Sequence, residues 1–252
     1  FFYFLFFPKN LIYLFLILQS LILMLKMAGL TTITFFKFHE NKFWAFSQMA
    51  LLPRKMKKIE GLRFFKLMGT GGGNGFSLIP DFSTYAFLGV WESEIAAENF
   101  FNNNDQINLY ENKSDLSRTI KMISIMSHGF WGGQNPFQYQ KLNKISKNIP
   151  IAVITRATLR ISKLISFWKS VPSASSAIES AEGVIYFKGI GEWPFIQQAT
   201  LSIWESIESV NKFAYSNKTH LRIIEKTRKQ KWYSEDLFAR FQVISDTGFI
   251  GK

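Results

Sequence analysis

The sequence predicts an α+β fold built from two tandem ferredoxin-like (βαββαβ) repeats whose sheets face each other. Three observations predict it. Short motifs recur in the same order in both halves of the chain. Within each half, β-rich and helical runs follow the order strand, helix, strand, strand, helix, strand. A single sheet of this kind carries helices on one face only, so its bare face needs a second layer. Two copies in one chain supply that layer and form a barrel or sandwich, with an expected cavity between the sheets.

The recurring motifs are specific. Gly61-Leu62-Arg63-Phe64-Phe65-Lys66 returns as Gly183-Val184-Ile185-Tyr186-Phe187-Lys188, and Trp91-Glu92-Ser93 returns as Trp204-Glu205-Ser206. Asp115 to Ser124 matches Asp236 to Ser245, and Thr32 to Phe38 lines up with Ile154 to Arg160. Copy one is longer between Lys66 and Trp91. Copy two is longer between Ser206 and Asp236, in the stretch that carries His220.

In the first repeat, Thr32 to Phe38 reads as a strand and Lys42 to Lys58 as a helix kinked at Pro53. Leu62 to Met68 and Tyr85 to Trp91 read as strands, Glu94 to Asn102 as a helix and Ile120 to Met126 as the last strand. In the second, Ile151 to Arg160 is β-rich, and Ile161 to Ala181 has helical spacing interrupted at Pro172. Val184 to Ile190 and Gln198 to Trp204 flank a turn at Gly191-Glu192-Trp193-Pro194. Ser206 to Lys231 is helical with a break near Ser216-Asn217, and Phe238 to Ile244 closes the repeat. The expected organisation is residues 27–128 as repeat one, 129–150 as a linker and 151–252 as repeat two.

Residues 1–26 stand apart. Two apolar runs are separated by Pro8-Lys9-Asn10, and the longer one is short for a bilayer span. The flanks make a poor signal peptide. The expectation is that the native chain starts at Met27 and that upstream sequence has been translated. A membrane anchor is the rival.

Composition narrows the chemistry. With no Cys among the 252 residues, thiolate-ligated haem, cysteine-held iron–sulfur clusters, Cys₄ zinc and a cysteine nucleophile are excluded. His39, His128 and His220 are the whole imidazole supply. The 27 Phe suit wide apolar cavities as well as a packed core. The net charge of +12 comes from scattered Lys and Arg, apart from runs at Arg54–Lys58 and Arg222–Lys231. Such a surface attracts nucleic acid, anionic lipid or acidic substrates, but no nucleic-acid motif accompanies it. The Gly69–Gly75 stretch lacks the Lys-Ser/Thr of a phosphate loop and reads as a hairpin loop.

Several further motifs carry a resemblance. Gly69-Thr70-Gly71 with Gly75-Phe76-Ser77, Pro80-Asp81 and Trp91-Glu92 resembles the spheroidene monooxygenase family of carotenoid-biosynthesis enzymes. So do Ser127-His128-Gly129, Asn135-Pro136-Phe137, Thr155-Arg156-Ala157-Thr158 and Gly189-Ile190-Gly191-Glu192. Trp232-Tyr233-Ser234-Glu235 with Phe238-Ala239-Arg240-Phe241 completes the match, which spans Thr32 to Ile244. The resemblance implies a monooxygenase that uses O₂ to convert an acyclic carotenoid to a keto product. It implies haem as the proposed cofactor and a dimeric α/β barrel fold, here closed within one chain. Residues 1–26 have no counterpart in it.

Oxygen insertion into an unactivated C–H bond needs a cofactor that activates O₂. Without Cys, haem iron takes His, Tyr or Met as axial ligand. His220 is the first candidate metal ligand: it sits in the second helix of copy two, with Ile223, Ile224 and Thr227 on its face. The competing reading is a helix His near Lys218 and Arg222 with no ligand role. His128, between a strand and Gly129-Phe130-Trp131-Gly132-Gly133, is the candidate catalytic proton donor or a second candidate ligand, or else a loop His bonded to backbone. His39 reads as a solvated strand end. Arg156, Thr158 and Arg160 alternate along one strand face, so Arg156 and Arg160 are candidates for the haem propionates. Otherwise they form a solvent-facing row, with Lys66 and Lys188 on equivalent strands. A non-haem iron site from His128, His220 and Glu205 or Glu235 has no supporting spacing. Trp91 and Trp204 read as core plugs at strand ends, and Trp232-Tyr233 as packing for the last helix.

The expected partners are an apolar carotenoid-like substrate and an external electron donor, since no nicotinamide or flavin motif is present. The expected location is cytoplasmic, with or without peripheral membrane association. The alternative function is a non-catalytic α/β-barrel module holding a hydrophobic ligand or haem.

Overall fold

The computed structural model describes residues 29–73, 77, 79–137 and 149–249. The apolar segment 1–26 and half of the 129–150 linker fall outside the described residues, as does part of the Gly-rich hairpin loop.

Each repeat forms a four-stranded antiparallel sheet. Repeat one contains β1 (Leu30–Lys37), α1 (Lys42–Met56), β2 (Leu62–Gly71), β3 (Pro80–Trp91), α2 (Glu94–Asn103), α3 (Asp105–Lys113) and β4 (Leu116–Gly129). Repeat two contains β5 (Ile151–Leu159), a 3₁₀ turn (Ile161–Lys163), α4 (Leu164–Trp168), α5 (Val171–Glu179) and β6 (Val184–Trp193). It ends with β7 (Gln197–Trp204), α6 (Ile207–Ser216), α7 (Lys218–Gln230) and β8 (Tyr233–Gly248). The eight strands close into one barrel in the order β1-β3-β2-β6-β7-β5-β8-β4. Closure gives every strand a neighbour on both sides, although most of β2 and β6 stays unpaired along their shared seam. The two seams differ: β4 pairs with β8 from Arg118–Gly248 to Gly129–Leu237, whereas β2 meets β6 only at Gly69–Gly191 and Thr70–Ile190.

The repeated motifs have local physical reasons. In Trp-Glu-Ser, the Trp ends a strand and the Ser caps the next helix. Ser93 Oγ accepts from Ala96 N and Ser206 Oγ from Ser209 N, each at 3.2 Å. Gly61 and Gly183 both turn with positive φ, +75° and +79°, where a Cβ would strike Ala96 or Ser209. Pro172 opens α5 in its first turn, where the missing N–H costs nothing. The break expected near Ser216-Asn217 is real: Asn217 Oδ1 accepts from His220 N at 2.9 Å and starts α7.

The barrel interior is packed, which corrects the expectation of a hollow between the sheets. Phe35, Met68 and Leu88 of repeat one meet Ile154, Leu201 and Phe241 of repeat two, all essentially solvent-free. Trp131 and Phe137, from the segment after β4, join this core. Their ring centroids lie 6.3 Å apart, and Phe137 meets Phe241 edge-on at 4.9 Å.

A second apolar layer lies under the helices of each repeat, and here the copies differ. Leu30 pairs with Trp91 as Ile151 pairs with Trp204, which fixes the equivalence of the strands. Phe36 therefore corresponds to Ala157, Phe87 to Thr200 and Tyr85 to Gln198. In repeat one, Phe36 packs on Tyr110 at 5.1 Å and Phe87 stacks on Phe100 at 5.5 Å, filling the layer. Repeat two lacks the rings of Phe36, Phe87 and Tyr85, although Phe213 stands against Trp204 as Phe100 stands against Trp91.

Candidate functional site

Where repeat one is filled by aromatic rings, repeat two has a cavity of about 160 Å³ between its sheet and its helices. Its floor is the outward face of β5 and β7, with Val153, Thr155 and Ala157 beside Gln198, Thr200 and Ser202. These residues pair directly across the strands: Val153 with Ser202, Thr155 with Thr200 and Ala157 with Gln198. Phe167, Val171 and Ala174 of α4 and α5 form one side. Phe213 of α6 with His220 and Ile223 of α7 forms the other.

Thr155 marks the cavity from the backbone side. It sits mid-strand in β5, paired on both flanks, yet it is exposed. Its equivalent Thr34 is 1% exposed and bonds Thr119 at 3.0 Å. Thr155 faces Phe238 instead, so its hydroxyl has no such partner. Among the described residues, the hydroxyls of Thr155 and Thr200 make no hydrogen bond to protein.

His220 is held at the cavity wall by two contacts. Its backbone N–H is capped by Asn217, and its ring lies against Phe213 with centroids 4.5 Å apart and planes tilted by 39°. Burial lowers its pKa below the usual histidine value, because desolvation disfavours the imidazolium. Among the described residues neither ring nitrogen has a hydrogen-bond partner. An imidazole with unpartnered nitrogens in an apolar wall is one of the donors that a haem iron takes when cysteine is absent. As a donor His220 suits a haem iron, but the cavity at about 160 Å³ is of benzene size and would have to widen to admit the porphyrin.

The other candidates fall elsewhere. Ile223 lines the cavity beside His220; Ile224 is half-buried and does not. Arg156 contributes to the wall through its place in β5, but its guanidinium is committed to the opposite side of the sheet. It pairs with Glu235, lies 3.9 Å from Glu192 and stands 5.7 Å from the Trp131 ring. Arg156 is 3% exposed, so it forms no solvent-facing row. Arg160 lies past the end of β5, where its Nε donates to the Tyr233 carbonyl at 3.1 Å. His128 pairs with Phe238, hence sits on the cavity side of the sheet, but it is exposed and does not line the cavity. His39 is exposed and lies 3.3 Å from Asp115. Among the described residues no three His, Asp or Glu side chains gather where they could hold a metal ion, so His128 and His220 with Glu205 or Glu235 do not form a triad.

Sequence reasoning missed two features. Lys226 reaches the cavity rim, donating to Ser170 Oγ at 2.8 Å and standing 5.5 Å from the Trp232 ring. At the barrel end, Glu192 accepts from Lys66 and from Trp131 Nε1, while Glu235 accepts from Arg156 and from the amides of Gly132 and Gly133 at 2.9 and 2.7 Å. This network ties the segment after β4 to both repeats. The Gly191-Glu192-Trp193 and Gly132-Gly133 motifs held the signal, but nothing in the sequence joins them.

No protein-family model matches the chain. Curated relatives do. The chain is 30% identical to the spheroidene monooxygenase of Rhodobacter capsulatus, covering 83% of this chain and 87% of that protein. It is 33% identical to the spheroidene monooxygenase of Cereibacter sphaeroides, covering 88% and 68%. Among solved structures, an aldoxime dehydratase in complex with butyraldoxime superposes with a TM-score of 0.55 at 10% identity, covering 86% of this chain and 80% of that one. At that identity the likeness is one of fold.

Proposed function

The chain belongs to the spheroidene monooxygenase family, and on that premise we propose that the cavity under α4–α7 is its haem-dependent oxidation site. The enzyme is an oxygenase acting on a carotenoid. The observation that carries the siting is His220, the one histidine of the three that lines this cavity.

Haem, when bound, supplies the activation of O₂ that no side chain here provides. His220 would hold the iron through a ring nitrogen. Phe213 fixes the plane of that ring, and the Asn217 cap fixes the helix turn that presents it. Burial lowers its pKa, which favours the unprotonated ring nitrogen that a metal needs. Lys226 at the rim, already bonded to Ser170, is placed to meet an acidic group of the cofactor, a role that the Arg156 guanidinium, paired with Glu235, does not fill.

On the floor, the Thr155 and Thr200 hydroxyls are proton-bearing groups opposite the helices that carry His220. They orient a polar or oxygen-bearing group between the layers. Apolar side chains from α4, α5 and α6 exclude water from the hydrocarbon being oxidised. Electrons come from an external donor.

The test is a haem titration of the apoprotein. The expected result is a Soret band that shifts with CO after reduction and is lost in His220→Ala, together with loss of keto carotenoid in a pigment-producing host. An unchanged spectrum and haem affinity in His220→Ala would remove the ligand assignment.

A further inference from the structure

We infer that the face around the mouth of this cavity docks onto an anionic membrane surface. The inference rests on the reading of the cavity as a carotenoid oxidation site, and it names the surface that brings substrate to it. Arg160, Lys163, Arg222, Lys226, Lys229 and Lys231 line one open cleft with Glu225 as its sole acid. Among the described residues, Lys163, Arg222, Lys229 and Lys231 form no ion pair. Their charge is therefore available to a partner.

Apolar side chains stand among these cations. Ile161 and Ile165 flank Lys163 in sequence and are 78% and 75% exposed. The β6–β7 turn adds Trp193, 67% exposed, and Phe195. That turn is fastened to the same face: Trp168 of α4 donates to the Phe195 carbonyl at 3.2 Å, and their rings lie 6.0 Å apart. The patch adjoins the cavity through Lys226, which touches Ser170 and the Trp232 ring, both cavity-lining.

Exposed Ile and Trp interleaved with unpaired Lys and Arg match a bilayer interface. Apolar groups enter the acyl boundary while cations meet anionic headgroups. A purely electrostatic site for an acidic protein leaves the two isoleucines unexplained. The substrate argues the same way, because a carotenoid partitions into hydrocarbon and its route to an apolar cavity is shortest where the mouth meets the bilayer. Among the described residues no helix is long and apolar enough to cross a membrane, so this surface supplies contact in the plane of the interface.

The experiment is co-sedimentation of the full chain with vesicles, either phosphatidylcholine alone or equal parts phosphatidylcholine and phosphatidylglycerol. Binding is expected to the anionic vesicles and to weaken with salt. The exposed double variant Arg222→Glu, Lys229→Glu should bind at least about tenfold more weakly. Ile161→Ser, Ile165→Ser should weaken binding even at low salt, and circular dichroism checks that both variants fold. Unchanged binding by both overturns the inference, since another segment then does the docking. Unchanged vesicle binding with lost turnover in the charge-reversal variant also overturns it and assigns the patch to an acidic protein partner. Vesicle binding needs no turnover. A chain that docks through this face but oxidises no carotenoid therefore fails on function alone, and one that oxidises detergent-dispersed carotenoid while ignoring both variants fails on docking alone.

Discussion

Ala157 occupies in the second repeat the place that Phe36 occupies in the first. Both lie on the helix-facing side of the repeat's first strand, and both are buried. The ring of Phe36 fills its layer by packing on Tyr110. The methyl of Ala157 leaves its layer open. With Thr200 in place of Phe87, this substitution turns a core into a cavity without changing the fold. Ala157→Phe should therefore restore the packed state of repeat one. The variant is expected to fold, with stability within about 1–3 kcal/mol of the parent in urea unfolding, and to lose haem uptake and activity together. Phe36→Ala should cost about 3–5 kcal/mol and leave activity in the surviving folded fraction. Haem uptake by Ala157→Phe equal to the parent's would place the site elsewhere.

The lowered pKa of His220 has a signed consequence for stability. Burial disfavours its charged form in the folded state. As pH falls through the ordinary histidine range, the unfolded chain takes up the proton first. The contribution is thus fully present above that range and is lost as pH drops towards the folded value. His220→Gln should show a smaller fall in Tm between pH 8 and pH 5 than the parent, measured without haem. Equal falls would mean that the imidazole is not shielded from solvent.

The barrel-end network predicts a different acid sensitivity. Burial alone would raise the pKa of Glu235, but the amides of Gly132 and Gly133 and the Arg156 guanidinium outweigh it and hold the carboxyl below its usual range. Its stabilising effect is present above the unfolded value and is lost as pH falls through the folded one. Arg156→Met removes the cation between Glu235 and Glu192 and should cost about 1–3 kcal/mol, the loss of charge-assisted hydrogen bonding, since Lys66 and the glycine amides still meet the two carboxylates. Adding Glu235→Gln should recover part of that loss. Hydrogen exchange at Gly132 and Gly133 reports the network directly, and no change there in Arg156→Met would uncouple the segment from the barrel.

The duplication was legible because its anchors have local causes, such as a Trp that ends a strand before a Ser cap. The register was less so. Aligning Thr32 with Ile154 is one residue out, since Leu30 corresponds to Ile151 and Thr32 to Val153. One residue swaps the faces of a strand. The error is natural in β1, where Leu30 to Phe36 are all buried and no alternation distinguishes inside from outside. The same loss of alternation hid which side of the sheet would hold the cavity. Helix α3 went unread because Asp105–Lys113 is mostly polar, although Asn104 before it is a cap. His220 stood out as a candidate because only three histidines exist, and it lies at the cavity wall. The commitment of Arg156 to Glu235 was not legible, because the pair joins strands far apart in sequence.

The two strand-end tryptophans offer a test of the duplication at single-atom scale. Trp91 Nε1 donates to Thr32 Oγ1 at 2.9 Å, and its indole lies where a Cβ on Gly89 would come within 2.8 Å. Trp204 Nε1 donates to Ser202 Oγ at 2.9 Å. Ser202 is the counterpart of Gly89, and Val153 is the counterpart of Thr32. The hydroxyl that satisfies the indole has thus moved from the first strand of one repeat to the third strand of the other. Gly89→Ala should cost about 1–3 kcal/mol, because the indole must shift and its buried N–H loses its acceptor. Gly89→Ser with Thr32→Val transplants the second repeat's solution into the first. It should be more stable than the sum of the single changes allows, with a coupling of about 1 kcal/mol or more in a double-mutant cycle. Additive costs would show that the indole keeps its place and that the two arrangements are not interchangeable.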